Sequence, residues 1–457
     1  MLFCLFSCEL DPDFVEQNIT PVTQDSVNFL VLNDSCSASC EIQFMNTSKG
    51  FTDFIWDFGD MGTSIEQSPV HRYMEAGSYS VKLTGTSLTA SKNITKTVTI
   101  SIPTFNRLYG ATDENYFVTS LLEDANNFLV FTGERNQKLF LNKVDYISGD
   151  EFWGGPRELS ELSRGNSIIQ NENRNYIVGG QSEFDSDARA KLFVFDEDGI
   201  ETYGSKLIET STNKSYVNDI IQVNATRYIF VGNSNLCGAS SDCFHFYFGY
   251  LDNQFNVVLN SENWNGSGNV TTGNSVSKNP FGWMGVGSQD NDVYYDNLVL
   301  NGEFVSGVLE IEGVQKGNDI VGKSDNTYTI VGRTDNTNGN SNDILFIQID
   351  DKATIITDKN IGGTGSEEAQ AIIIYEDGYL IASNSNSFSN DLDIYLVYVD
   401  SDGDVIWDQV YESPGNDFAE DLVATSDGGI AIIGNKISSS GTQAILIKTD
   451  KFGVIRN

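Results

Sequence analysis

Between Glu367 and Tyr411 four short apolar runs alternate with polar, turn-forming breaks. The first run, Ala369 to Tyr375, stops at Glu376-Asp377-Gly378, and the second, Tyr379 to Ala382, gives way to a small-residue polar loop from Ser383 to Asp393. The third, Ile394 to Val399, turns at Asp400-Ser401-Asp402-Gly403, and the fourth runs from Val405 to Tyr411. Runs of β-branched and aromatic residues bounded by Gly, Asn, Asp and Ser predict a four-stranded antiparallel meander. None is long enough for a helix.

The same pattern recurs along the chain, most clearly at the second strand, where an apolar run ends on a small residue. These anchors are Gly133, Gly180, Gly232, Gly287, Gly332, Ser383 and Gly434, spaced by 47, 52, 55, 45, 51 and 51 residues. An isolated meander cannot bury its faces, so the copies must stack, and seven four-stranded copies fit a closed β-propeller. An open β-solenoid or two stacked sandwiches are the alternatives, and closure separates them. The last copy has a third strand, Ala444 to Thr449, but little chain after it for a fourth, whereas Phe105 to Gly110, just ahead of the first copy, matches the end of a fourth strand. Completing the last blade with that segment removes two raw sheet edges at once.

Charge narrows the partners. With 27 Lys and Arg against 64 Asp and Glu, the 457-residue chain carries −37, a balance that repels nucleic acid. No stretch beyond the N-terminus is long and apolar enough to predict a membrane span. At that end, Leu5-Phe6-Ser7-Cys8 resembles a bacterial lipobox, which implies Cys8 as a lipidation site. The acidic residues Glu9, Asp11 and Asp13 behind it resemble the export signal of Bacteroidota surface lipoproteins, and Glu9 to Thr20 reads as a tether. The resemblance implies a lipid-anchored protein on the cell-surface side of the outer membrane, held to the membrane through its N-terminal lipid. With Cys4 and Cys8 set aside, Cys36 and Cys40 form one close pair and Cys237 and Cys243 another, the pattern of local disulfides in an oxidising compartment. A metal site would want further soft ligands, which His71 and His245 do not obviously supply.

Residues 22–102 lack the anchored repeat. Their succession of Trp56-Asp57-Phe58-Gly59-Asp60, Ser68-Pro69-Val70-His71-Arg72-Tyr73 and Ala76-Gly77-Ser78-Tyr79-Ser80-Val81-Lys82-Leu83 resembles the PKD domain, an immunoglobulin-like β-sandwich. The resemblance implies Trp56 as the large core residue, Asp57, Gly59 and Asp60 as turn-shaping residues, and a spacer or adhesive module. Met61 departs from it, standing where the family usually has Gly or Asn. The predicted organisation is therefore all-β: a signal remnant, lipidated Cys and tether over 1–21, a PKD-like sandwich over 22–102 and a seven-bladed propeller over 103–457. The ring copies also resemble repeats of Bacteroidota surface proteins, which implies architecture more than activity.

Candidate chemistry is sparse. Asp400, Asp402 and Asp404 around Gly403 could converge on calcium as alternate carboxylates, but Asp-x-Asp-Gly is first of all hairpin chemistry, and the later acidic ligand falls to Asp408 inside the next strand. The corresponding turns, Asp196 to Gly199 and Asp450 to Gly453, vary too much for a sialidase-type box. No serine-hydrolase elbow, zincin motif, phosphate loop or dinucleotide fingerprint is present. The expectation is a non-catalytic surface lipoprotein without a cofactor other than that calcium. It would bind or scaffold, as an accessory subunit of an outer-membrane complex; the alternative is a glycan-binding or carboxylate-based glycan-degrading protein. The anchor is directly checkable: precursor carrying Cys8→Ala should neither label with a fatty-acid probe nor pellet with membranes.

Overall fold

A computed structural model describes residues 25–32, 41–73, 76–184, 187–202, 204–208, 214–235, 244–262, 271–280, 282–299, 304–335 and 341–456. The lipidation site Cys8 and the paired Cys36, Cys40, Cys237 and Cys243 lie outside the described residues. The chain divides into two compact units, Met1–Ser101 and Ile102–Asn457.

The first unit is a sandwich of two sheets. One orders Phe29–Leu32, Glu41–Asn46 and Val70–Arg72; the other orders Thr63–Ser64, Asp53–Asp57, Gly77–Thr86 and Ser91–Ile100. Trp56 is fully buried between them, its ring 5.1 Å from that of Phe29 and 5.5 Å from that of Phe44, with its indole N–H donating to the Glu66 carbonyl at 2.9 Å. Val81 and Leu83 alternate inward as the pattern predicts. The turn after Trp56 is built from side chains: Asp57 accepts from the Gly59 amide at 3.0 Å and Asp60 from the Gly62 amide at 2.9 Å. His71 lies 2.7 Å from Asp60 and stacks on Phe58 at 3.9 Å. Met61 takes φ 72° with its side chain 98% exposed. Its left-handed backbone explains why Gly or Asn suits that position, and exposure confines the cost to the turn, about 1 kcal/mol.

Among the described residues the second unit contains seven four-stranded antiparallel sheets. Their first strands are Tyr116–Glu123, Ser163–Gln170, Ser215–Asn224, Thr271–Asn279, Gln315–Gly322, Glu367–Tyr375 and Asn416–Ala424, here blades 1 to 7. Each first strand packs on the next, and that of blade 7 packs on that of blade 1, so the first strands form a closed inner ring. Apolar side chains of neighbouring blades share each core; Leu380, Ala382 and Leu396 of blade 6, for example, pack with Leu422, Ile432 and Ile447 of blade 7.

The anchors have a specific cause. Every inner strand carries a β-bulge, and the residue just before the bulge pairs with the anchor: Gly165 with Gly180, Val217 with Gly232, Gly317 with Gly332. The bulge thrusts a carbonyl toward the anchor, so a Cβ on Gly180 would lie 2.0 Å from the Arg164 oxygen, on Gly232 1.9 Å from that of Tyr216, and on Gly287 1.7 Å from that of Thr272. Glycine is required there by close backbone approach rather than by a turn. Blade 6 alone places a serine at the anchor, Ser383, which is buried. In that blade the second strand runs Gly378–Ser385, three residues beyond the expected Tyr379 to Ala382. The polar extension survives in the interior because it is satisfied: Asn384 accepts from the Ala419 amide at 2.7 Å, and Ser385 donates to Glu367 at 2.7 Å.

The ring closes as the pattern predicts. Phe105–Tyr109 is the fourth strand of blade 7, antiparallel to Thr442–Thr449, with Tyr109 opposite Ala444 and Phe105 opposite Lys448. Tyr109 is buried against Phe131 of blade 1 and donates to the Gly149 carbonyl at 2.7 Å. Thr104 and Arg456 exchange two 2.8 Å bonds, joining the chain ends of this unit. A chain starting at Gly110 loses four or five ladder bonds and one buried aromatic, together roughly 5 kcal/mol. It should therefore melt roughly 10 °C or more below a chain starting at Ile102; equal melting temperatures would make the segment a linker.

Candidate functional site

The bulges aim two consecutive residues of each inner strand at the ring axis or at the next blade. The bulged residues are Thr119, Asn166, Asn218, Asn274, Asn318, Gln370 and Glu420; the residues after them are Ser120, Ser167, Asp219, Ser275, Asp319, Ala371 and Asp421. The first set forms an amide belt. Asn166 donates to the Val217 carbonyl at 2.8 Å, Asn218 to Gly273 at 2.8 Å, Asn274 to Gly317 at 2.6 Å and Asn318 to Ala369 at 2.8 Å, each reaching the following blade. Thr119 does the same toward Gly165 at 2.9 Å.

The second set forms a carboxylate belt. Asp219 accepts from Ser167 on one side at 2.7 Å and from Ser275 and the Val276 amide on the other at 3.1 and 2.9 Å. Asp319 accepts from Ser275 at 2.6 Å and from the Ile372 amide at 2.8 Å. Asp421 accepts from Ser120 at 2.9 Å and from the Leu121 amide at 2.8 Å, clasping blade 7 to blade 1 across the closure. Asp219 and Asp319 each serve two neighbouring blades, and carboxylates alternate with serine or alanine in blades 3 to 7.

Burial pushes Asp319 and Asp421, and Glu420 beside them, toward neutrality. Asp319 rises to about 6, desolvation outweighing its hydrogen bonds and the nearby Asp219 charge adding to it. Asp421 rises to about 7, again by burial first, with Asp319 contributing. Glu420, which accepts from Asn435 at 2.8 Å, is also pushed up by burial to about 7, against the pull of Arg164. Carboxyls two blades apart sense one another, as groups converging on one axis do. Toward the start of the inner strands, Glu368 gathers Lys316 at 3.4 Å, Arg333 at 3.5 Å and Asn318 at 3.0 Å.

Sequence reading did not single out this belt. Its trace is a small or apolar residue followed by Asn or Glu and then Ser or Asp, as in Gly273-Asn274-Ser275, Gly317-Asn318-Asp319 and Ala419-Glu420-Asp421, 14 or 15 residues ahead of each anchor. The three aspartates it did single out lie elsewhere, on an outer hairpin. Asp400 accepts from the amides of Asp402 and Asp404, both at 2.9 Å, Gly403 takes φ 82°, and Asp404 pairs with Lys359 at 2.5 Å. The same turn recurs at Asp350 and Asp450, where the intervening residues include Lys352 and Lys451. Among the described residues no three His, Cys, Asp or Glu side chains are grouped as a metal site requires. His245 is buried in the third strand of blade 3, and burial lowers its pKa.

Residues 18–102 match the PKD domain family. No curated protein sequence matches the chain. Among solved structures the chain is similar to virginiamycin B lyase from Staphylococcus aureus, with a TM-score of 0.51 at 9% identity over 76% of this chain and 99% of that one. It is also similar to the PKD1 domain of a Vibrio cholerae metalloprotease, 30% identical over 16% of this chain and 94% of that one at a TM-score of 0.15. A third likeness is to a quinonprotein alcohol dehydrogenase-like protein from Bacteroides thetaiotaomicron, 8% identical over 84% of this chain and 96% of that one at a TM-score of 0.38. At 9% identity the lyase likeness speaks to fold alone. The chain is thus an all-β protein in which an immunoglobulin-like PKD domain precedes a seven-bladed β-propeller.

The belt makes stability depend on pH in an unusual sense. Asp319 and Asp421 bind protons more tightly folded than unfolded, so between about pH 4 and 7 the folded ring holds protons that the unfolded chain has released. Their contribution falls as pH rises through that window. The melting temperature should therefore be higher at pH 5.5 than at pH 8, and Asp421→Asn should reduce the difference. Because the net charge of −37 acts in the same direction, the readout is the variant's slope against the parent's, and equal slopes would reject the assignment.

Proposed function

We propose that this protein is a non-catalytic binding or scaffolding module of the cell surface, held by a lipid on Cys8 and serving as an accessory subunit of an outer-membrane protein complex. The observation that carries the non-catalytic part is the engagement of the axial carboxylates: Asp219, Asp319 and Asp421 each accept from the backbone or hydroxyls of a neighbouring blade. Groups used in this way hold blades in register, which leaves recognition to the faces and outer hairpins, where loops vary most from copy to copy. An acidic exterior and a PKD domain, a family whose members often act as spacers, fit the same role.

A second reading is favoured by one observation. Glu420 sits near neutral pKa beside the axis, the property a general acid for glycoside cleavage needs. Native purification from the source membrane separates the two readings. The first expects a protein partner in stoichiometric amount, lost together with the membrane when Cys8 is replaced; the second expects saccharide hydrolysis by the purified chain that Glu420→Gln abolishes.

A further inference from the structure

Among the described residues of this strongly acidic chain lies a cleft in the propeller lined by cationic and aromatic side chains. It spans the turns between first and second strands in blades 3, 4 and 5, encloses about 600 Å³, and is lined by Arg227, Tyr250, Lys278, Trp283 and Lys323 with no acidic side chain among its lining residues. The volume is within the range of small-ligand sites.

The wall is held in place. Lys278 donates to the carbonyls of Gln222 and Val223 at 2.8 and 3.2 Å, tying blade 4 to the turn of blade 3. Lys323 lies 5.1 Å from the centre of the Tyr379 ring. Gly322 approaches so closely that a Cβ there would lie 2.4 Å from the Lys278 carbonyl oxygen. The Trp283 indole N–H donates to the Tyr250 hydroxyl at 2.5 Å, and the two rings meet edge to face at 5.7 Å.

Its chemistry is one-sided. The Tyr250 oxygen already accepts from Trp283, so its own proton is the group left to offer, and burial raises its pKa, which keeps that proton in place. Arg227, Lys278 and Lys323 have only donors. Among the described residues none of these three cations forms an ion pair within the chain. Asp325, whose carboxyl feels the Lys323 charge, is bonded to the Thr327 hydroxyl and amide at 2.6 and 3.1 Å. Three like charges around one concavity repel one another unless an anion joins them. Trp283 is itself buried and backs Tyr250, whose half-buried ring gives the cleft an apolar edge of the kind against which the carbon face of a pyranose packs.

We propose that this cleft binds an acidic saccharide, its carboxylate or sulfate held by Arg227, Lys278 and Lys323 and its ring set against Tyr250, which Trp283 backs from the core. The inference deepens the reading of the chain as a binding module and rests on it only to that extent. It fails or holds separately, because a protein partner can co-purify whether or not the cleft is filled.

Calorimetric titration of the full chain tests it with digalacturonate, a chondroitin sulfate disaccharide, inorganic sulfate and a neutral galactose disaccharide. One or both acidic saccharides should bind at least about ten-fold more tightly than the neutral sugar and than inorganic sulfate, with affinity falling as salt is raised. Arg227→Gln combined with Lys323→Gln, both on accessible turns, should weaken binding at least about ten-fold at unchanged melting temperature. Tyr250→Phe, which keeps the ring and removes the donor, should weaken it less. Equal affinity for the neutral sugar, undiminished binding by the double variant or no binding of either acidic saccharide would overturn the proposal. Inorganic sulfate binding as tightly as the saccharides would reduce the cleft to a bare oxyanion site and overturn the saccharide assignment.

Discussion

The structure of the ring depends on one backbone irregularity repeated seven times. A bulge in each inner strand pushes a carbonyl into the space a side chain would need on the adjacent strand, which demands glycine at six of the seven anchors. The same bulge takes one polar residue out of the ladder, and in blades 1 to 5 and 7 that residue or the one after it bonds to a neighbouring blade. Core packing between blades is non-directional and could be met by sheets that slide or rotate. The amide and carboxylate belts remove that freedom, since each bond fixes the height of one blade against the next.

Closure adds a second constraint of a different kind. Six blades are contiguous in sequence, and the seventh takes its outer strand from Phe105–Tyr109, upstream of every other strand in the ring. The unfolded chain must bring segments more than 300 residues apart together before that blade is complete, a costly loop closure that raises contact order and favours late formation of blade 7. Asp421 reinforces the joint from the inside, bonding to Ser120 and Leu121, while Glu123 accepts from both the amide and the hydroxyl of Ser426, each at 2.7 Å. The seam therefore carries hydrogen bonds to side-chain carboxyls in addition to the strand ladder.

Much of this was legible before any coordinates. The anchors report the bulge, because only close backbone approach selects glycine inside a buried strand, and the unpaired third strand at Ala444 to Thr449 points to a partner from elsewhere in the chain. The belt was not read, for a physical reason: Asn, Ser and Asp are the residues of turns, and within a single strand nothing distinguishes an Asn that ends a strand from one that bonds to the next blade. Only the constant offset of 14 or 15 residues from the anchor carries that information. The same ambiguity shortened the second strand of blade 6, where Ser383, Asn384 and Ser385 look like loop and are interior. The cleft of blades 3 to 5 was invisible for another reason, since Arg227, Lys278 and Lys323 are about 50 residues apart and meet only once the blades stack.

The distribution of charge then separates framework from recognition. At the axis Asp219, Asp319 and Asp421 accept hydrogen bonds from adjacent blades, and burial raises the proton affinity of Asp319 and Asp421, so they contribute cohesion at little cost in field. On the outer hairpins Asp350, Asp400 and Asp450 are spent on their own turns. Acids thus serve the framework of this protein, accepting from backbone N–H groups at the axis and in the outer turns. Cations are scarcer, and most that are buried are likewise consumed: Lys448 by Asp427 at 2.9 Å and Lys143 by Asp124 at 2.8 Å. A group of three cations brought together without a carboxylate in the same wall departs from that economy, and a departure from the rule that governs the rest of a fold is where a ligand leaves its mark.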